Sequence, residues 1–567
     1  MAERNVEAKL KKQLKQDKIQ LWKVPYSDDA QQPGRAHMQE LAERYAALLR
    51  LPGSEVAEAL EVIRVGALKR GERNQTFRES GVATVELLLP PRDGGKKSKM
   101  SMETRLDVCA QELMDRIAEE VGLASFKVIL NGRTLNAGQR LDQQGVGNHS
   151  RMMVLKAFDA ASAPADVGRA HRGFRILSER DGSDDLQDAP FLEVADQKGT
   201  PLKIPQREKK ALILAMGLHE KGRALMKRKR HDDALCHLLQ ADVHFSECGS
   251  ALLGVVDNHG VLQLDIVWCY QASEALSCLD DGRQRLRLAE DCFVRCYGER
   301  RQRLLVIKGN TGQEDVLFLR LRLLQSLLAF VDGDDLQARQ RLEQVESLYA
   351  RLSPDADKMT QLMVLGFSER EARLGLRASR GDVQEAASLV GRRRREREEL
   401  RRRERQKRKK NKESLAVLAE AGYGARDAAA ALRRANGDLE RAFQILLDAS
   451  QAPPTCEANL DQKLQQLLYL GFERSAAEAA LASTGGDLQS ATELLIDNWG
   501  AGPSEAAPPS EDEEPGTSSG SADDSELVNE VLEDIPGDED DYLDPTLEEE
   551  LQLLNAIKTH LARSPDQ

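Results

Sequence analysis

The chain has 567 residues, of which 41% are hydrophobic, 31% charged and only 4% aromatic. At about 150 residues per domain the length holds about four folded units, and so few aromatic residues exclude one large enzyme core in favour of several small helical units. The formal net charge of −13 averages two opposite blocks: 19 Asp and Glu without one Lys or Arg in 505–550, and 14 Lys or Arg against four Glu in 392–412.

Eight cysteines, none in a Cys-x-x-Cys pair, sit mostly in apolar helix-periodic stretches and read as reduced intracellular core thiols. His244 and Cys248, one helical turn apart and near Cys236 and His237, are the sharpest metal alternative, outweighed by the usual burial of Cys in helical cores. The first 18 residues are charged throughout and lack the apolar segment of a signal peptide, and no run approaches the 18 apolar residues of a membrane span.

In 1–80, Leu41, Tyr45, Leu48, Val56, Leu60 and Ile63 recur at helical spacing, broken by Pro25 and Pro52-Gly53. The period then changes. Val82, Val85, Leu87 and Leu89 predict a strand, and Met100, Met102 and Leu106 a second. Leu113, Ile117 and Val121 predict a helix stopped by Gly122, and Phe126–Leu130 and 152–155 give further strands. This ββαββ order across 81–158, with Val128-Ile-Leu-Asn-Gly-Arg-Thr-Leu135, resembles a ubiquitin-like domain. The resemblance implies a β-grasp fold, an exposed recognition patch centred on Ile129, and Val154 or Leu155 from the last strand, a one-residue choice that the sequence leaves open. No terminal Gly-Gly follows, so the domain reads as a built-in mimic and not a tag, and the resemblance implies that its patch faces the proteasome.

Residues 159–205 read as a linker with short helical pieces. From 206 to 352 the pattern is helical, and three sets share one spacing: Gly222, Ala234, Leu238, Ala241; Ser277, Ala289, Phe293, Cys296; Ser326, Ala338, Leu342, Val345. Small residues where helices cross, with larger ones filling the groove, suit stacked helical hairpins. They resemble tetratricopeptide repeats at a longer interval.

Three further copies follow, at 357–391, 413–449 and 460–498. Leu365-Gly366-Phe367, Ala421-Gly422-Tyr423 and Leu470-Gly471-Phe472 each precede a helix-like stretch, and Gly381-Asp382, Gly437-Asp438 and Gly486-Asp487 recur at one offset. The copies resemble ubiquitin-associated domains. That implies three-helix units that grip ubiquitin-fold modifiers through Leu365, Gly366 and Phe367, and through Leu470, Gly471, Phe472, Leu494 and Leu495. Ala421 and Tyr423 make the second copy the weakest binder. Tandem copies imply avidity.

The basic segment 392–412 predicts an exposed helix whose Arg405, Lys407, Arg408, Lys409 and Lys410 read as a nuclear-import signal. No aromatic residue interleaves it for base stacking, so no nucleic-acid partner is expected. The acidic tail 501–567 predicts disorder with a docking helix built from Leu547, Leu551, Leu554, Ile557 and Leu561, preceded by Tyr542 and Leu543. A weaker apolar island lies at Leu527, Val528, Val531, Leu532 and Ile535.

The sequence carries no coherent catalytic motif. No Gly-Lys precedes Ser or Thr, Arg223 stands where a zinc hydrolase motif starting at His219-Glu220 needs its second His, and Gly516-Thr-Ser-Ser-Gly520 lies in the acidic tail. The expected fold class is multidomain and mainly α, with one α+β β-grasp domain; no cofactor, metal site or membrane partner is expected. Lys18-Ile-Gln-Leu-Trp-Lys23, Ala215-Met-Gly-Leu-His-Glu-Lys-Gly-Arg223, Leu264-Asp-Ile-Val-Trp-Cys-Tyr270 and Asp541-Tyr-Leu-Asp544 resemble a family of adaptors that negatively regulate neddylation. The resemblance implies binding of the neddylation modifier, its conjugates and other ubiquitin-like tags, delivery to proteasome regulatory-particle subunits, a tail that helps bind the modifier, and a nuclear protein with a cytoplasmic fraction. A tag-cleaving cysteine protease and a co-chaperone scaffold are the alternatives.

Overall fold

A computed structural model describes residues 1–90, 98–123, 126–156, 163–180, 204–298, 302–303, 314–451, 527–532 and 543–562, with scattered positions between 463 and 495; residues 29, 250–252, 254–255, 274–278, 436 and 529 are excepted. The chain divides into two compact units. One holds Met1–Gly182, Pro190–Glu398 and Ala522–Gln567, and the other holds Ser183–Ala189 and Glu399–Ser521.

Helices α1 (Ala2–Gln16), α2 (Arg35–Leu49) and α3 (Gly53–Ser80) enclose a small core of Leu10, Leu41, Tyr45, Val56 and Leu60. The buried Tyr45 hydroxyl donates to Asp17 Oδ2 at 2.8 Å, and burial pushes its pKa up to about 12.

The β-grasp domain comprises β1 (Val82–Leu89), β2 (Ser98–Arg105), α4 (Ala110–Val121), β3 (Phe126–Leu130), β4 (Arg133–Thr134) and β5 (Arg151–Lys156), with sheet order β2-β1-β5-β3-β4 and a parallel β1–β5 pair at its centre. Asn131 and Gly132 make the β3–β4 turn with positive φ, a conformation that Gly and Asn tolerate best. Pairing of Val128 with Val154 and of Ile129 with Met153 fixes the register. Val85, Leu87, Val128, Leu130, Met152 and Val154 therefore meet α4 through Leu113 and Ile117, and Leu88, Ile129, Met153 and Leu155 face the other way.

That second face is covered. Helix α5 (Ala163–Arg180), in a stretch expected to be linker, forms one layer with α6 (Gln206–Lys227) and α7 (His231–Ser246). Ile129, Met153 and Leu155 join Ala170, Phe174, Leu235 and Leu239 in one core. Phe174 lies flat where a side chain at Gly217 would stand, with its ring carbons about 2.4 Å from that Cβ position.

Two more hairpins follow: α8 (Asn258–Ala272) with α9 (Leu279–Tyr297), and α10 (Asp315–Val331) with α11 (Asp335–Leu352). The small-residue rule holds in the first and third hairpins. A Cβ on Gly222 would stand 2.5 Å from Leu238 Cδ2, and Ser326 Oγ donates to the Ala338 carbonyl at 2.8 Å. In the second hairpin the expected Ser277 lies outside the described residues, and the close approach is Gly260 against Phe293 and Cys292.

Of the three small repeats, the first is α12 (Ala356–Val364), α13 (Glu369–Ala378) and the start of α14 (Val383–Glu420). Helix α14 runs unbroken through the basic segment and supplies the first helix of the second repeat, completed by α15 (Ala425–Arg434) and α16 (Leu439–Gln451). Repeat logic reappears as packing: Leu376, Leu432 and Leu481 are buried, and so are Ala386, Ala442 and Ala491.

Candidate functional site

In the first repeat Leu365 caps the end of α12, and Gly366 takes φ +89°, which L side chains seldom adopt. The sharp turn leaves Met363, Val364 and Leu365 46%, 81% and 63% exposed, a cluster of apolar side chains on a small unit. Phe367 is half-buried against Leu362 and Met359. Its outer side carries the Arg394 guanidinium, 4.9 Å from the ring centroid, and Arg394 also donates to the Gly366 carbonyl at 3.1 Å and pairs with Glu371. Sequence reading named Leu365 and Phe367 but missed Met363, Val364 and the arginine lid, which comes from the other end of the unit.

Glu371 also closes a capping box with Ser368 at the start of α13. The hydrogen bond from Arg394, aided by Ser368, lowers its pKa to about 2. A depressed carboxylate contributes stability that is full above its ordinary pKa near 4.5 and disappears as pH falls through about 2. Glu371→Gln should therefore lower the thermal midpoint at pH 7 and narrow that gap between pH 4.5 and 2, measured by melts of both chains across that range.

The second repeat has the same turn at Gly422, φ +91°, but Tyr423 packs edge-on against Phe443 and only Ala421 stands where Leu365 does. In the third repeat Leu470, Gly471, Phe472 and Leu494 lie outside the described residues. Leu495 corrects an expectation. It is buried with Leu467 and Leu481, as are Val390 and Leu446 at the same offset, so it completes the core instead of meeting a partner. Leu389 and Ile445, the counterparts of Leu494, are half-buried.

Two further groups of expected site residues are covered by the chain itself. Ile129, expected at an exposed centre, is 2% exposed beneath the α5–α7 layer, and Leu155 is buried beside it. Val154 points the other way into the β-grasp core. The turn beyond β3 is also held, because Arg285 of α9 donates from Nη2 to the Gly132 carbonyl at 3.4 Å.

In the tail, Tyr542 lies outside the described residues, but Leu543, Leu547 and Leu554 are buried and Leu551 half-buried. They belong to helix α17 (Glu548–Ala562) and its lead-in, packed on α10 and α11, so this part of the tail is ordered helix and not the free docking segment expected. The first apolar island also docks: Val531 reaches the place of a Cβ on Gly173, and Glu530 pairs with Arg169 at 2.8 Å, both on α5. In the basic segment Arg405, Lys407, Lys409 and Lys410 are exposed on α14, which also carries Arg408.

Among the described residues no group of three or more His, Cys, Asp or Glu is arranged to hold a metal ion, and burial raises the Cys236 and Cys248 thiols to about 11.

One polar junction lies inside the helical layers. Arg320 of α10 stacks on Trp268, 4.8 Å from its centroid, and donates to Glu550 of α17 at 2.6 Å and to Asp265 of α8 at 3.4 Å. Asp265 also meets His219 at 3.0 Å and Arg223 at 3.7 Å. Burial opposes ionisation of Asp265, yet its hydrogen bond to His219 and the surrounding positive charge hold its pKa below the usual carboxylate value.

Residues 82–157 match the family described as the NUB1 ubiquitin-like domain, 354–390 and 459–495 match the UBA/TS-N domain, and 6–76 match the SASH1 homeodomain-like domain. Proteins named NEDD8 ultimate buster 1 from Homo sapiens and Mus musculus are each 41% identical to the chain, over 96% of it and 96% of their own length. The chain belongs to the NEDD8 ultimate buster 1 family. The resemblance of the β-grasp domain and of the first and third repeats is thereby established, and the UBA spans leave out 413–449, the repeat with Ala421 and Tyr423. Two of the strings that carried the family resemblance meet in space, His219 and Arg223 of one against Asp265 of the second, and Leu543 and Asp544 of a third lead into the helix that carries Glu550.

Proposed function

We propose that this protein is a non-enzymatic adaptor that binds the NEDD8 modifier, its conjugates and other ubiquitin-like tags, and delivers them to proteasome regulatory-particle subunits, so that neddylation is negatively regulated. The observation that carries the reading is a ubiquitin-like fold and a UBA unit with bare Met363, Val364 and Leu365 in one chain. The relatives' printed name supplies the modifier. The tail around 542–561 contributes a second contact to the modifier, and the exposed basic run on α14 directs nuclear import, leaving a cytoplasmic fraction.

A surface of three apolar side chains binds weakly alone, on the order of micromolar or worse, and linked repeats raise the occupancy. Delivery through the Ile129 face requires the sheet to part from α5–α7, because that face is covered.

The test is titration of the intact chain with NEDD8 and with ubiquitin. Leu365→Asp should weaken binding by about tenfold, a loss of about 1.4 kcal/mol, while changing stability by less than about 0.5 kcal/mol because the site is exposed. Superimposable binding curves would remove the first repeat from the reading.

A further inference from the structure

The tail segment 543–561 has one apolar face, and that face is spent. Leu543, Leu547, Leu553, Leu554, Ile557 and Leu561 are all buried in one core with α10 and α11, on which the helix itself packs. Polar contacts fix it along its length. At the entrance Asp544 meets three arginines of α13: Arg373 at 2.8 Å, Arg370 at 3.7 Å and Arg377 at 3.9 Å. Arg377 also donates to the carbonyls of Leu543 at 3.3 Å and Pro545 at 2.9 Å. In the middle Glu550 is held by Arg320, and at the far end Lys558 pairs with Glu346 at 2.6 Å and Arg339 donates to the Leu561 carbonyl at 2.7 Å.

An amphipathic helix cannot offer the same face to two receptors. We infer that the tail is a self-inhibitory ligand: the groove, latched by the α13 arginines on Asp544, withholds 543–561 from ubiquitin-fold partners until it undocks. The inference rests on the tail-binding reading above. The apparent affinity of the tail for a partner is then its intrinsic affinity multiplied by the undocked fraction. The latch sits on the UBA unit itself, on α13, while the bare Met363–Leu365 cluster lies at the end of α12, so one unit presents a contact surface and holds the second contact closed.

Variants on the groove side leave the tail sequence intact. In the full-length chain Arg373→Glu should speed amide hydrogen exchange across 549–561 and tighten NEDD8 binding, by about tenfold if the undocked fraction rises tenfold. Glu346→Lys, at the opposite end and half-exposed, should shift both readouts the same way by less, and keeps the test intact if the first variant disturbs the UBA fold. Unchanged exchange in both variants would overturn the latch. Faster exchange with unchanged affinity would overturn self-inhibition, provided that a chain ending at residue 537 binds more weakly. If that shortened chain and the Arg373→Glu chain bind alike, the tail does not grip the modifier and the tail-binding reading itself falls.

Discussion

Arg320→Ala is expected to destabilise the first unit by about 3–5 kcal/mol, because it leaves buried carboxylates without their central cation. Arg320 lies between Asp265 and Glu550, which are both buried, and its guanidinium covers Trp268. Asp265 would keep His219 and Arg223, so the sharper cost falls on Glu550. Glu550→Gln in the Arg320→Ala background should therefore recover part of the loss, since a buried amide costs less than a buried carboxylate. The sign of the pH dependence follows from the depressed Asp265. Its contribution is full above the ordinary carboxylate value of 3.8 and vanishes as pH falls through the lower folded-state value. Removing Arg320 raises that folded value, so acid unfolding should begin at higher pH. Urea midpoints from pH 7 down to pH 3 read both effects; a variant with the wild-type midpoint would show that the junction contributes nothing.

The second large effect is at Ile129. On an exposed recognition patch, Ile129→Ala would change stability by less than about 0.5 kcal/mol. Packed between the sheet and the α5–α7 layer, it should cost about 2–4 kcal/mol through lost transfer energy and the cavity left behind. Ile129→Lys should go further, because an ammonium pressed between two apolar layers separates them or stays unpaired. Hydrogen exchange should then rise in α5 around Phe174 and in α7, while the β-grasp core around Val128 and Val154 stays protected. An Ile129→Lys chain with wild-type exchange in α5 would refute the packing.

The sequence was most legible where one pattern repeats. Leu376, Leu432 and Leu481 occupied one offset in three copies, and a shared offset in a small bundle is a shared core position. The same comparison, carried one residue further, places Leu495 with Val390 and Leu446 in the core and leaves Leu494 nearer the surface. The β-grasp strands were legible too, but alternation tells which residues share a face and not what covers it. The signal for cover lay in Leu87-Leu-Leu89 and Met152-Met-Val-Leu155, continuous apolar runs of the kind found in sheets buried on both sides. Helix α5 was hidden by small residues: Ala170 and Gly173 read as linker composition but are where α5 packs closely. The tail helix declared its amphipathic face, whereas its receptor is assembled from α10 and α11, some 200 residues earlier, and spacing does not reveal such pairings.

Phe330 of α10 is where early and late parts of the chain meet. Asn5 of α1 donates to its carbonyl at 2.6 Å, and the ring of His560 in α17 stacks on its ring with centroids 5.9 Å apart. During synthesis, α10 and α11 therefore leave the ribosome with an apolar groove that stays open until more than 200 further residues have been made. Contacts of such long sequence separation form slowly, and exposed apolar grooves invite chaperones and aggregation. A message with a stop codon in the acidic stretch would encode the β-grasp domain and every repeat, yet its product would keep that groove bare. Closing that groove thus waits for a helix made about 200 residues after its receptor.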